Sequence, residues 1–259
     1  MQGAVSSACF FPEDTLGSVQ LLQGLGVERI ELFLNTFREL SPSFAETMGQ
    51  LLRSNGTKVC ALHPFSSGFE PFFFFSRYEG RMEDGMELYK RYFELCQLWQ
   101  VPRLVFHGDY GGSTFPTERY CEHFAALSCT AAQYGVQLCQ ENVARCRSGS
   151  PAFIREMRRL LGKDAAFVLD LKQARRSGAC LEEFLDAMGP CLAHLHISGA
   201  DAKSDCTAPA PDTLDIPQLL GMLKKTGYDG DLVIELYRDG FSNPAQLQRS
   251  YRYINGFLP

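Results

Sequence analysis

The feature that most constrains the fold is an alternation of short β-rich runs with helical segments along the whole chain. Runs rich in branched and aromatic residues predict eight strands, at residues 5–10, 29–34, 58–63, 103–107, 136–141, 166–170, 192–197 and 232–236. Helical periodicity predicts eight helices, at residues 16–25, 44–54, 82–99, 118–134, 152–161, 181–188, 217–226 and 245–257. Strands and helices that alternate in this way imply parallel strands joined by right-handed crossovers.

The length of the chain favours a closed barrel over an open sheet. The 259 residues are 45% hydrophobic, which matches one (β/α)8 TIM barrel, and no break in composition marks a second domain. Glycines that end a helix just before a strand, such as Gly135 and Gly227, support the same division. A doubly wound open sheet is the alternative, but eight repeats fit a barrel better. We therefore predict a single α/β domain, a TIM barrel over residues 1–259.

Charge and composition narrow the classes of partner. The formal net charge of −5 argues against a surface built for nucleic-acid phosphates or anionic membranes. No apolar stretch is long enough to cross a membrane, and the first residues lack the layout of a secretory signal. The ten cysteines are scattered without a CxxC pair. We therefore expect free thiols and a cytoplasmic enzyme that binds neither nucleic acid nor membrane.

Six of the predicted strands end in a side chain that can bind a metal. In a TIM barrel the functional groups lie at the C-terminal ends of the strands and point inward, and side chains alternate along each strand. Five of the six have a small or apolar residue two positions earlier, and in the sixth His194 precedes His196. The six residues are His63, His107, Glu141, Asp170, His196 and Glu235.

A metal ion explains this set better than six separate structural roles. One such carboxylate is ordinarily a solvated loop residue or a helix cap, and one such histidine is ordinarily a satisfied core residue. Buried charges of one sign in a confined mouth repel each other unless a cation lies between them. Glu141, Asp170 and Glu235 together therefore call for a metal. Three carboxylates and one imidazole suit Mn²⁺, Mg²⁺ or Co²⁺, and Zn²⁺ is also compatible.

Four short motifs in order resemble the xylose-isomerase-like TIM barrel superfamily, over essentially the whole chain. They are GVQLCQEN at 135–142, FVLD at 167–170, HLHIS at 194–198, and GYDG at 227–230 leading to VIE at 233–235. The superfamily includes sugar and sugar-phosphate isomerases and epimerases, hydroxypyruvate isomerase, inosose dehydratase and endonuclease IV. The resemblance implies that one divalent ion is held by Glu141, Asp170, His196 and Glu235. It also implies that His63 and His107 face the pocket without being obligatory ligands.

The resemblance further implies a reaction and a substrate class. We expect isomerisation or epimerisation next to the carbonyl of a small sugar or sugar phosphate, through an enediolate that the metal stabilises. Glu141 and Glu235 would take a proton and return one. His63, His107 and Gln173 could bind substrate hydroxyls. Apart from the resemblance, Arg238, three residues past Glu235, could meet an anionic group of the substrate, although a solvated position is favoured for it.

Two positions depart from the family and leave alternatives open. Gln173 stands where the family often has a histidine, and the loop after His196 lacks the usual early acidic residue. Endonuclease IV activity is disfavoured because it needs further metal ligands and residues 201–215 contain no histidine. A dehydratase of the inosose or dehydroshikimate type uses the same metal and base, so the sequence separates it poorly from an isomerase. A non-catalytic or partner-binding barrel would be favoured if the purified protein held no metal and the four ligands proved to be splayed apart.

Three further features have two interpretations each. The Phe-rich segment 65–78 is either a packed loop or an apolar lid, and its exposed phenylalanines would allow a homo-oligomer contact. Lys172, Arg175 and Arg176 could meet a substrate anion, but a solvated basic helix face is the favoured interpretation. Glu31 could reach the pocket or form an ion pair with Arg29 or Arg38.

Overall fold

A closed ring of eight parallel strands forms the centre of the computed structural model, which describes residues 1–78 and 80–258. Each strand pairs with its neighbours in sequence, and β1 also pairs with β8, which closes the barrel. The strands are β1 (Gly3–Ser6), β2 (Arg29–Phe33), β3 (Lys58–His63), β4 (Arg103–Phe106), β5 (Gln137–Glu141), β6 (Phe167–Asp170), β7 (Leu192–Ile197) and β8 (Leu232–Ile234). The predicted (β/α)8 TIM barrel is therefore confirmed.

Helices cover the outside of the ring. Those in the described residues are α1 (Thr15–Gly24), α2 (Pro42–Ser54), α3 (Glu70–Phe74), α4 (Gly80–Trp99), α5 (Thr117–Gln133), α6 (Pro151–Leu161), α7 (Leu171–Ser177), α8 (Leu181–Met188), α9 (Ile216–Leu223) and α10 (Pro244–Asn255). Short 3-10 helices lie at Ser7–Phe10, Phe37–Leu40, Phe65–Phe69, Arg147–Gly149, Gly162–Asp164, Gly189–Cys191, Lys224–Thr226 and Arg238–Gly240. Within this part of the chain, no helix is both long and apolar enough to cross a membrane.

The first strand is where the sequence prediction of a strand over residues 5–10 was wrong. The chain leaves the barrel after Ser6 and forms a 3-10 helix. The Ser6 hydroxyl accepts a hydrogen bond from the Ala8 N–H at 3.3 Å, and the Ser7 hydroxyl accepts one from the Phe33 N–H at 2.8 Å. Side-chain bonds of this kind compete with strand pairing. The apolar residues that suggested a strand are buried in the helical turn instead.

Two short helices, α3 and α7, were not predicted. They contain five and seven residues, too few for a helical period to show in the sequence. Helix α7 begins directly after β6, and the Asp170 carboxylate caps it by accepting a hydrogen bond from the Gln173 N–H at 2.8 Å. The same carboxylate therefore both starts a helix and faces the barrel mouth.

The alternation predicted along the strands is present in the barrel interior. The small residues two positions before the polar strand ends form a buried cluster of their own, which contains Ala61, Val105, Cys139 and Val168. Val233, two positions before Glu235, is likewise buried. This layer of small side chains lies below the polar rim and leaves the rim groups pointing into the barrel mouth.

Gly108, in the loop after β4, provides a test of how tightly this rim is packed. Its φ is +83°, and a β-carbon added there would overlap the Tyr120 hydroxyl, which hydrogen-bonds Gln140. We expect Gly108→Ala to lower the free energy of unfolding by about 2 kcal/mol or more, through backbone strain and overpacking. Urea denaturation measures the change. Gly112→Ala in the same loop meets nothing within 4 Å and is the control; equal effects of the two substitutions would contradict the packing argument.

Candidate metal centre

The six ionisable residues predicted from the sequence lie at one end of the barrel. His63, Glu141 and Asp170 are the last residues of their strands, and His196 lies in β7 beside Asp170. His107 follows β4 directly and Glu235 follows β8 directly. The Glu235 N–H still donates to the Ile197 carbonyl at 3.1 Å, so sheet pairing holds Glu235 one residue beyond the assigned strand.

Four of these residues converge on one point. One ligand atom from each of Glu141, Asp170, His196 and Glu235 lies within 4.8 Å of the others. His196 is at the centre of the group: its Nδ1 is 3.7 Å from a Glu141 oxygen, 3.7 Å from an Asp170 oxygen and 3.5 Å from a Glu235 oxygen. Glu141, Asp170 and His196 are buried, and Glu235 is only slightly exposed. The sequence predicted this set, and the structure brings its members together.

The donor atoms of this group suit a divalent cation. His196 Nδ1 is buried and has no hydrogen-bond partner among the described residues, and one oxygen each of Glu141, Asp170 and Glu235 lies 3.5–3.7 Å from it. An unsatisfied buried nitrogen among three carboxylate oxygens is costly, and an ion bound by all four atoms would satisfy them together. Three carboxylates and one imidazole are also a chemically suitable donor set for an ion such as Mn²⁺. The residues present therefore fit a metal ion.

Glu31 orients the metal-facing histidine from below. It is fully buried, and its Oε2 accepts hydrogen bonds from His194 Nε2 at 2.9 Å and from His196 Nε2 at 2.8 Å. Burial alone would raise the pKa of Glu31, but the two imidazoles outweigh it and hold that pKa well below its usual value. With the His196 Nε2–H committed to Glu31, Nδ1 is the atom left to bind a metal. Arg29, one of the ion-pair partners suggested for Glu31, forms its salt bridge with Asp231 at 2.7 Å.

His196 shows how strongly this rim attracts positive charge. Burial lowers the pKa of its imidazole, but the carboxylates of Glu31 and Glu235 outweigh that effect. The net result is a pKa well above the ordinary value for histidine. Any cation of suitable size that binds here relieves the same field of negative charge.

His63 and His107 form a second group with Glu141. His107 Nε2 is 2.9 Å from Glu141 Oε2, and His63 Nε2 is 3.0 Å from His107 Nε2. One atom of each of the three lies within 4.8 Å of the others, so this group could also hold an ion. The His63 ring lies against Phe33, with the ring centroids 4.6 Å apart. Both histidines therefore face the pocket, as the sequence predicted.

A cavity of about 340 Å³ opens above these groups. Apolar side chains including Phe11, Phe33 and Tyr237 form much of its wall. Its polar lining consists of His63, Ser67, His107, Glu141, Arg145, Lys172, Gln173 and Glu235. A concave site with a few converging polar groups and an apolar wall is typical of small-molecule binding. The volume is near the lower end for such sites, which suits a small ligand.

Lys172 is a site residue that sequence reasoning missed. A solvated position was favoured for it, but Lys172 is only 3% exposed and lines the cavity. Its Nζ is 2.8 Å from Glu235 Oε2 and 3.0 Å from Asp170 Oδ2. Burial lowers its pKa, but these two carboxylates outweigh the effect and raise the pKa well above the usual value for lysine. The expectation failed because α7 turns directly over the rim and directs Lys172 inward.

The remaining predicted contacts are divided between the cavity and the surface. Gln173 lines the cavity, and its Oε1 accepts a hydrogen bond from the Ala144 N–H at 3.1 Å. Arg176 is exposed and pairs with Asp205, as expected for a solvated face. Arg175 donates to the Ser198 carbonyl at 2.9 Å. The structure does not bring Arg238 into the cavity: it is exposed, and its guanidinium lies over the Phe241 ring.

The Phe-rich segment 65–78 is anchored to the site by Glu70. This buried carboxylate accepts hydrogen bonds from the His107 N–H at 2.8 Å and from the Gly108 N–H, and the Tyr89 hydroxyl donates to it. Burial raises the pKa of Glu70 to about 8. Phe74 and Phe75 are buried, whereas Phe69, Phe72 and Tyr78 are exposed. The segment therefore has one buried side and one exposed side, and its buried Glu70 holds the backbone of His107.

Comparisons with solved structures agree with this architecture. D-psicose 3-epimerase from Clostridium cellulolyticum H10, determined with D-tagatose, is 13% identical, with a TM-score of 0.79 over 100% of this chain and 99% of that one. A 3-keto-D-glucoside 4-epimerase from E. coli is 19% identical, with a TM-score of 0.76 over 99% of each chain. An IOLI protein with a bound zinc atom is 19% identical, with a TM-score of 0.77 over 98% of this chain and 96% of that one. At these identities the likeness shows the fold.

The sequence itself matches a family. No match to the chain was found among the curated proteins. A family model described as xylose isomerase-like TIM barrel matches residues 19–256, which include all eight of the residues predicted for the site. The resemblance inferred from the four motifs is thus confirmed, and the chain belongs to the xylose isomerase-like TIM barrel family.

Proposed function

We propose that the protein is a divalent-metal-dependent isomerase or epimerase of a small sugar or sugar phosphate. The observation that supports this most directly is the shared position of Glu141 and Glu235. Each contributes an oxygen to the cluster around His196, and each also lines the cavity. Carboxylates that border both a metal position and a ligand cavity are placed to exchange protons with a bound substrate. The epimerases among the structural neighbours have the same fold.

In this proposal the metal is held by Glu141, Asp170, His196 and Glu235. When bound, a divalent ion such as Mn²⁺, Mg²⁺, Co²⁺ or Zn²⁺ would supply the positive charge that stabilises an enediolate. His196 and Asp170 are fixed by Glu31 and by the start of α7, respectively, so their task is to hold the ion. The cluster accounts for one ion; the group around His63 is free to bind substrate.

The proton transfers are assigned to the chain's own carboxylates. Glu141 would take the proton from the carbon next to the substrate carbonyl, and Glu235 would return one, or the two would act in the opposite order. His63 and His107 lie beside Glu141 and would donate hydrogen bonds to substrate hydroxyls. Gln173 would do the same from the opposite wall, and Phe33 and Tyr237 would cover an apolar face of the sugar.

Other activities of this site are less well supported. A dehydratase would begin with the same proton abstraction, and a solved protein described as a probable 3-DHS dehydratase from Bacillus anthracis is 12% identical with a TM-score of 0.74. Endonuclease activity is disfavoured because Gln173 occupies the position of a metal-binding histidine in that branch of the family. The ten free cysteines support the cytoplasmic location that we propose.

A first prediction concerns Glu31, which holds the metal-facing histidine. Glu31→Gln removes the charge that fixes the His196 Nε2–H, so we expect the affinity for Mn²⁺ to fall about 10- to 100-fold while the fold persists. Isothermal titration calorimetry measures the affinity. Glu28→Gln changes an exposed acid just before the same strand and is the matched control. Unchanged Mn²⁺ affinity in the Glu31 variant would show that this carboxylate does not orient the ligand.

A second prediction concerns Glu235. Glu235→Gln keeps the shape of the side chain but cannot exchange a proton as a carboxyl group does, so we expect turnover to fall by about 10²- to 10⁴-fold. The assay is a screen of ketoses and sugar phosphates with Mn²⁺ present, with metal content measured separately. Asp239→Asn, an exposed acid in the same loop, should leave turnover intact. Retained activity of the Glu235 variant would refute its role in proton transfer.

A third experiment separates isomerase from dehydratase. Running the reaction in D₂O should place deuterium on the carbon next to the carbonyl of the sugar, without loss of water from the product. Mass spectrometry distinguishes a product of unchanged composition with one exchanged hydrogen from a product lighter by one water. The lighter product would replace the isomerase proposal by the dehydratase alternative.

A further inference from the structure

Lys172 is a buried lysine whose ammonium contacts two of the four proposed metal ligands. Its Nζ donates to Glu235 Oε2 at 2.8 Å and lies 3.0 Å from Asp170 Oδ2. The ammonium also lies 5.1 Å from the centre of the Tyr237 ring, within range of a cation–π interaction. A lysine so placed, two residues after one ligand and against another, belongs to the centre itself.

The oxygen atoms that Lys172 contacts are the ones a metal would use. Asp170 Oδ1 accepts the Gln173 N–H at the start of α7, so Oδ2 is the oxygen left for an ion. Glu235 Oε2 and Asp170 Oδ2 are also the atoms that face His196 Nδ1, at 3.5 and 3.7 Å. The ammonium and a metal ion would therefore share the same two carboxylate oxygens.

The charges in this group determine whether the Lys172 ammonium and a metal ion can bind these two oxygens at the same time. Glu141, Asp170 and Glu235 bring three acidic groups together, and the cationic groups that face them include the His196 imidazole and the Lys172 ammonium. Two cations that bind the same pair of oxygens repel each other strongly where water is excluded. The lysine side chain has a flexible four-carbon stem, so its ammonium can leave the carboxylates without movement of the backbone.

We propose that Lys172 is a built-in counter-ion of the metal centre, bound to Asp170 and Glu235 in the metal-free protein and displaced from them when a divalent ion binds. This inference rests on the metal centre proposed above. The lysine keeps the carboxylates gathered before the metal arrives, and it weakens the binding of the metal by competing for its ligands. The centre is thus preformed and its ion exchangeable.

A lysine that helped to position a metal ligand would change the metal affinity in the opposite direction from a lysine that competes with the metal. If Lys172 instead stayed on Glu235 and oriented it toward the ion, then removing the lysine would weaken metal binding. A competitor and a positioning group can therefore be distinguished by the sign of one change in affinity. Catalytic activity is not needed for the distinction.

The test compares Lys172→Met with the wild-type protein in two measurements. By isothermal titration calorimetry with MnCl₂, we expect the dissociation constant of Lys172→Met to fall by about tenfold or more, because a competing charge is gone. By thermal melting in EDTA, we expect the same variant to melt at a lower temperature than wild type, since two buried carboxylates lose their counter-ion. Added Mn²⁺ should then raise its melting temperature more than it raises that of wild type.

Two further variants control the result. Arg176→Met removes a cation from the same helix that contacts Tyr237 and Asp205 but none of the ligands, and it should change neither measurement. Lys172→Gln removes the charge but keeps a polar group, and it serves if the methionine variant does not fold in EDTA; tighter Mn²⁺ binding is again expected. Recovery of circular dichroism on adding Mn²⁺ to an unfolded Lys172→Met would also support the proposal.

Weaker or unchanged Mn²⁺ binding in folded Lys172→Met and Lys172→Gln would overturn the counter-ion role. Equal changes in Arg176→Met would overturn it too, because the effect would then be one of net charge. If neither wild type nor any variant binds Mn²⁺, the proposed metal centre fails and the inference fails with it. Failure of the inference alone leaves wild-type Mn²⁺ binding in place.

Discussion

The hydrogen bond between His196 and Glu31 is the contact on which the rest of the site depends. It fixes the imidazole from below, so that Nδ1 points toward the carboxylates of Glu141, Asp170 and Glu235. The result is a column of alternating charge through the barrel, with Glu31 at the bottom, the imidazole above it and a ring of acids at the top. A ring of acids in such a dry setting needs positive charge from above as well, from a metal ion or from the Lys172 ammonium.

The barrel supplies this arrangement by a simple geometric rule. Side chains alternate along each strand, and the parallel strands all end at the same rim, so a polar residue at the end of each strand joins one ring. Most residues one layer below the rim are small, including Ala61, Val105 and Cys139, and His194 in β7 is the exception. Small side chains in that layer let the rim groups turn inward without crowding, which is why sequence-distant acids meet within a few ångströms.

The barrel and the four converging ligands could be predicted because each depends on local pattern. A strand end with an ionisable residue is visible in the sequence, and closure of the ring then brings such ends together. Glu31 and Lys172 could not be placed in this way. The partners of Glu31, His194 and His196, lie in a strand that is not its neighbour in the sheet, so only the dimensions of the closed barrel bring them within reach. Lys172 depends on where a seven-residue helix turns, which periodicity does not reveal.

Glu70 links two successive loops of the barrel, the one after β3 and the one after β4. It belongs to the segment after β3, yet it binds the backbone of the loop after β4 and a tyrosine of α4. In most TIM barrels the loops at this rim are thought of as separate modules that can be exchanged one at a time. Here the two loops depend on each other: a chimaera that took the segment after β3 without the loop after β4 would bury the Glu70 carboxyl group without the two backbone N–H groups that it binds here. In this chain the segment after β3 and the loop after β4 are therefore coupled through one carboxyl group.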